Sequence, residues 1–115
     1  FRNHKLAFEK GVKIALGTDA GVPGNPHGTS ARELTSMVKH MEITAFQAIQ
    51  IGTIEAARAI NLDEKIGSIE VGKVADLIVF SGNVLENVSV LEDRSNINYV
   101  IKDGDLLVQE GQLIK

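Results

Sequence analysis

Two side chains able to do chemistry stand close together near the start of this sequence, Asp19 and His27. Asp19 comes just after a short aliphatic run, residues 12–16, bounded by Gly11 and Gly17. Such a run reads as a buried strand of a parallel sheet, apolar on both faces. In barrels of alternating strands and helices, the C-terminal strand tips carry the chemistry. Asp19 is therefore the foremost candidate for a catalytic carboxylate. A lone Asp after a strand also serves as an Asx-type turn former or as a cap for the next segment. The residues alone leave both readings open. His27 lies in a polar loop, residues 21–29, rich in Gly and Pro. A loop in that position makes a natural active-site wall. There His27 lines a substrate pocket or orients Asp19; otherwise it is a loop histidine with a backbone partner.

The other titratable candidates read as structural. His4 and His40 are isolated in sequence and make no His-x-His pair with each other or with His27. His4 is expected on a solvated helix surface, and His40 near a helix end, where it suits the dipole. Arg32 and Glu33 lie close to the loop, but a solvated first helical turn accounts for them. Asp76 interrupts an apolar run. It is expected to be a buried carboxylate held by backbone N–H groups or by Lys73, because burying an unpaired charge is costly. There is no cysteine, which excludes disulfides and cysteine-based zinc sites.

Patterning indicates the elements that must position these groups. Residues 1–10 read as the end of a helix, with Gly11 as its left-handed terminator. Ser30 and Glu33 fit a capping box opening a helix whose stripe of Leu34, Met37, Val38 and Met41 faces a core. Thr44 and Gln47 fit a second capping box. Gly52 breaks that helix, and a short one comes next through residues 54–60. Residues 62–72 read as a turn-rich connector. Residues 74–80 read as a strand with Leu77, Ile78, Val79 and Phe80 buried. Residues 81–96 read as loop. Residues 99–102 read as a strand, Asp103-Gly104 as a two-residue hairpin turn, and residues 106–109 as its antiparallel return. Glu110-Gly111 turns once more. The composition shift near Gly67 divides the chain into residues 1–66, an α/β part, and residues 67–115, a small β part.

Gly-Thr-Asp-Ala-Gly at 17–21, PHGTSARELTSMV at 26–38 and TAFQAIQIGTIEAARAINLDEKIGSIEVGKVADLIVF at 44–80 together resemble the C-terminal part of a metal-dependent amidohydrolase. The nearest branch is the imidazolonepropionase-like and Xaa-Pro or Xaa-Arg dipeptidase-like one, and several separate blocks occur in the family's order. The resemblance implies an α/β fold: the last strand–helix units of a TIM-like (β/α)8 barrel plus part of a small antiparallel β-domain. It implies that Asp19 is a metal ligand that also takes the proton from attacking water, and that a divalent metal, zinc above all, serves the complete enzyme. The ligand histidines of such enzymes come from earlier strands, so His27 is expected at the substrate and not at the metal. The implied substrate is a small amide or dipeptide.

The chain has 115 residues, a net charge of −3 and 43% hydrophobic residues. That suffices for one small core but not for a closed barrel, which needs roughly 250 residues. A fragment of a larger enzyme is therefore expected, inactive alone and binding no metal tightly. Exposed strand edges and helix faces suggest the alternative of a self-associating or complementing interaction module, with homo-oligomers expected. No basic stripe points to nucleic acid, no apolar stretch approaches a membrane span, and no signal-peptide pattern opens these residues. Cytoplasm is the default expectation.

Overall fold

The computed structural model describes all 115 residues. Helix α1, Arg2–Glu9, ends at Lys10 and Gly11, and Gly11 takes φ +77°. Three further helices carry the core: α2 (Ala31–Met41), α3 (Ala45–Gly52) and α4 (Ile54–Ala59). Met37 and Met41 on α2 meet Ile43, Ala48 and Ile51, with Phe8, Ile14, Leu16, Leu34 and Val38 packed around them. This is the stripe read from helical spacing, and each large aliphatic side chain so buried contributes about 1.5–3 kcal/mol. The Thr44 capping box forms in full. Its hydroxyl accepts from Gln47 N–H at 3.1 Å, and Thr44 N–H donates to Gln47 Oε1 at 2.9 Å.

The Ser30 capping box does not form. Ser30 already has helical angles (φ −58°, ψ −26°) and its hydroxyl caps nothing. The reason lies one residue earlier. Arg32 N–H donates to Thr29 O at 3.0 Å, and Glu33 N–H to Ser30 O at 3.1 Å. A turn from Thr29 thus runs into the helix and leaves Ser30 inside it, where a side-chain cap has no orphan N–H to serve.

The sheet part is a four-stranded antiparallel meander in the order β1 (Leu77–Phe80), β2 (Ile97–Lys102), β3 (Asp105–Gln109), β4 (Gln112–Leu113). Leu77 pairs with Ile101, Val100 with Val108, and Val108 with Leu113. Asp103 (φ 52°) and Gly104 (φ 81°) make the two-residue hairpin turn that their types foretell. Strand β1 is shorter than residues 74–80. Its Ile78 and Val79 point to opposite faces of the strand and both are exposed, not buried, because neither face of β1 is covered at these positions. Residues 81–96 hold two short 3₁₀ turns, Val88–Glu92 and Arg94–Asn96. The first packs on α2 and buries Val88, joining the helical and sheet parts.

Residues 12–16 are not a strand in any sheet, contrary to the expectation of a parallel one. The physical reason is a missing neighbour. A strand is defined by its ladder, and between Lys13 and Asp19 only Leu16 N–H makes a main-chain hydrogen bond, to Ile51 O on α3 at 3.3 Å. The segment nevertheless keeps the period of an extended chain. Ile14, Leu16 and Thr18 are half-buried, while Lys13, Ala15, Gly17 and Asp19 are exposed. One side leans on α3, its opposite side stays open, and apart from the Leu16 N–H its main-chain edges carry no ladder.

Candidate active site

Asp19 stands at the end of that extended segment, on its open side. Its backbone is left-handed (φ 47°), a conformation that Asp tolerates better than most residues. Its carboxylate accepts no hydrogen bond and forms no ion pair, so it closes no Asx turn and caps no helix. Other groups hold the residues just beyond it. Asn25 Nδ2 donates to Thr18 O, Gly21 N–H to Asn25 O at 2.9 Å, and Asn25 N–H to Val22 O at 3.0 Å. The loop therefore folds back on itself immediately past Asp19.

That fold brings His27 toward the same place. Its ring lies over Gly21, two residues past Asp19, so closely that a Cβ at Gly21 would come within 3.0 Å of His27 Nε2. Gly21 also takes φ +103°, so any other residue there is strained and would in addition have to displace the His27 ring. Thr29 Oγ1 donates to Pro26 O at 2.7 Å and fixes the loop's far end. His27 itself is exposed.

The other histidines lie elsewhere. His4 meets the Phe1 ring edge-on, with centroids 5.9 Å apart, and His40 stacks on it at 5.0 Å. His40 belongs to the last turn of α2, the opposite end from the loop. No three His, Asp or Glu side chains gather into a metal cage. A stable zinc site uses three or four protein ligands, so the donors of these residues alone do not fit a resident metal.

Asp76 is held by a backbone N–H, as expected, but it is exposed where burial was expected, and its cation is Lys102, not Lys73. It accepts from Asp103 N–H at 2.7 Å and from Lys102 Nζ at 3.0 Å. These donors, the backbone one foremost, hold its carboxyl below its ordinary range. Lys73 is engaged elsewhere, donating to Asp63 O at 2.5 Å and to Ser68 Oγ at 2.6 Å and pairing with Glu70 at 2.8 Å. Asp76 therefore ties the β2–β3 turn to the entry of β1 and carries no chemistry.

One contact at the loop has no counterpart in sequence reasoning. Arg94 Nη2 donates to Gly28 O at 3.4 Å across 66 positions of chain. Nearby, Arg32 Nε and Glu92 Oε2 approach to 3.9 Å. A cleft of about 560 Å³ opens between the loop root, the start of α2 and the sheet, with Gly28, Arg32, Glu92, Arg94 and Val108 on its walls. No local motif marks Arg94, because the contact exists only once the sheet part is folded against α2.

An open-sided extended segment with a free terminal carboxylate, a helical layer beside it and a small antiparallel sheet define the architecture. The model of the amidohydrolase family matches residues 1–107, and the chain belongs to that family. The imidazolonepropionase of Geobacillus thermodenitrificans is 32% identical over 106 residues, which are 92% of this chain and 25% of that protein. A crystal structure of a Xaa-Pro dipeptidase with methionine bound in its active site is similar at a TM-score of 0.82 and 50% identity, over 91% of this chain and 24% of that one. The crystal structure of the A. niger ochratoxinase is similar at a TM-score of 0.83 and 30% identity, over 94% of this chain and 24% of that one. The chain thus spans about a quarter of the length of the relatives it matches. No helix is long and apolar enough to cross a membrane.

Proposed function

We propose that these residues form the C-terminal portion of a metal-dependent hydrolase that splits amide or peptide C–N bonds with metal-activated water. The observation that carries this reading is the free carboxylate of Asp19, at the open end of a segment with a single main-chain hydrogen bond from Lys13 onward and no ladder, inside a family match that covers most of the chain. In this reading residues 12–16 are the last stave of a TIM-like barrel. Residues 1–66 complete the barrel's end and residues 67–115 contribute a small β-domain. The neighbouring staves supply the hydrogen bonds that the segment lacks.

Asp19 would then be one ligand of a divalent metal, zinc in the simplest case, with the remaining ligands from chain outside these residues. It also accepts the proton released when water attacks the amide carbonyl. A positioned base of this kind contributes about 10²–10⁴-fold to rate. His27, folded over Gly21, contacts the substrate, a small amide or dipeptide. With a single ligand in hand, the 115 residues alone bind no metal tightly and turn over no substrate.

The test is a fusion. The part of the Xaa-Pro dipeptidase that precedes its matching region is joined to this chain, and dipeptide hydrolysis is measured for the fusion and for the isolated chain. Metal-dependent turnover by the fusion alone supports the reading. A folded fusion without turnover, or turnover by the isolated chain, contradicts it.

A second reading is favoured by surface area. A compact monomer of this mass exposes about 6,100 Å², whereas this chain exposes 7997 Å². On this reading the chain is a non-catalytic module that covers its excess surface with a second copy or with a separately encoded complement. The fusion separates the two, because only the first reading yields hydrolysis.

A further inference from the structure

We infer that Arg94 is a positioning residue that latches the loop carrying His27 to the sheet part, so that the β-domain sets the geometry of the substrate pocket. The inference rests on the reading of His27 as a substrate contact. It starts from how the loop is held. Every other hydrogen bond of residues 18–29 is local: Asn25 to Thr18, Gly21 to Asn25, Asn25 to Val22, Thr29 to Pro26, and Arg32 to Thr29 at the loop's end. Such bonds give the loop a shape but do not fix its place on the molecule. The one long-range hydrogen bond that reaches it comes from Arg94, in the 3₁₀ turn Arg94–Asn96, to the carbonyl of Gly28 beside His27.

The contact is built from both sides. The turn bearing Arg94 is itself capped, since Asp93 accepts from Ser95 N–H at 2.9 Å and from Ser95 Oγ at 2.7 Å. It leads straight into β2, a central strand of the sheet. On the loop side, the guanidinium lies so close against Gly28 that a Cβ there would collide with Nη2, and Gly28 takes φ +83°. A glycine therefore admits the latch where any other residue would push it away. The charged donor makes this a stronger bond than a neutral one of equal geometry. Arg32 and Glu92 approach to 3.9 Å across the same seam.

The test compares Arg94→Met, which keeps the stem and deletes the charged donor, with Arg94→Lys, which keeps a cation. Two measurements are made. In the 115-residue chain, amide hydrogen exchange is followed at Gly21 and Asn25 in the loop and across residues 97–109 in the sheet. In the dipeptidase fusion, kcat and KM are separated. Arg94→Met is expected to speed loop exchange about fivefold while sheet exchange is unchanged, and to raise KM by a similar factor with kcat nearly constant. Arg94→Lys is expected to recover most of both effects. Unchanged loop exchange overturns the latch. So does sheet exchange that accelerates in step with the loop, because the loss is then one of general stability. Faster loop exchange with an unchanged KM overturns the positioning role. A folded fusion that is inactive with the native Arg94 overturns the hydrolase reading instead, and the exchange comparison then decides the latch by itself.

Discussion

Three of the six aspartates, Asp19, Asp76 and Asp93, differ in what their carboxylates hold. Asp93 accepts from the hydroxyl and the N–H of Ser95, and Asp76 from Asp103 N–H and Lys102. In both, these donors stabilise the charged form and depress the pKa. Asp19 holds nothing within the chain, which leaves its oxygens free for an external ligand. The contrast has a pH consequence for Asp76. A carboxyl whose folded value lies below its ordinary 3.8 adds stability that is fully present above 3.8 and is lost as pH falls through the depressed value. The β2–β3 turn is therefore expected to loosen at the acid end of that window. In Asp76→Ala the Asp103 amide should already exchange faster at neutral pH and show no further acid-induced loosening of this origin. An unaltered acid profile in the variant counts against the tie. His27 is at the same scale but reads differently: its type and loop make it a candidate, while its place over Gly21 depends on local turn bonds that no spacing rule encodes.

At the scale of elements, two identical-looking helix starts behave differently. Thr44 caps α3 through the reciprocal bonds of a capping box, and Ser30 caps nothing because a turn begun at Thr29 has already absorbed it. Thr44→Ala is expected to destabilise the fold by about 1 kcal/mol in denaturant titrations, and Ser30→Ala to change it by less than about 0.5 kcal/mol. Equal losses at the two positions would mean that the caps are not distinguished in solution. Helices α2 and α3 are legible in the sequence because their apolar stripe faces a core made within these residues, and the hairpin because Asp103-Gly104 needs no distant partner. Residues 12–16 mislead for the converse reason. Their aliphatic pattern records an environment apolar on both faces, yet the chain provides α3 on one side only, so the composition of a strand appears without its ladder. The edge strand β1 repeats this on a smaller scale, with Ile78 on one face and Val79 on the other apolar but uncovered. The Arg94–Gly28 contact is illegible because 66 positions separate its partners and neither stands in a motif.

At the scale of the whole molecule, the chain buries too little for its size. Eight of 115 residues are buried, and the exposed area exceeds that of a compact monomer by about 1,900 Å². The Cα radius of gyration, 14.7 Å, is likewise above the ~13.4 Å of a compact domain of this length. That excess is more than the ~800 Å² each partner contributes to a standard interface. The isolated chain is therefore expected to self-associate, with a mass by light scattering that rises with concentration, and to be monomerised when the missing surface is supplied in the fusion. A constant monomeric mass at high concentration would show that the open surface is tolerated in water. The central claim is that Asp19 is a metal ligand and proton acceptor in an amide-hydrolysing centre completed by other chain. It is tested most directly by replacing Asp19 with Asn in the dipeptidase fusion and measuring bound divalent metal and dipeptide turnover on the same sample. The expected result is a loss of metal and a fall in turnover of about 100-fold or more, with the fusion still folded by circular dichroism. Full metal occupancy together with undiminished turnover in Asp19→Asn would contradict it.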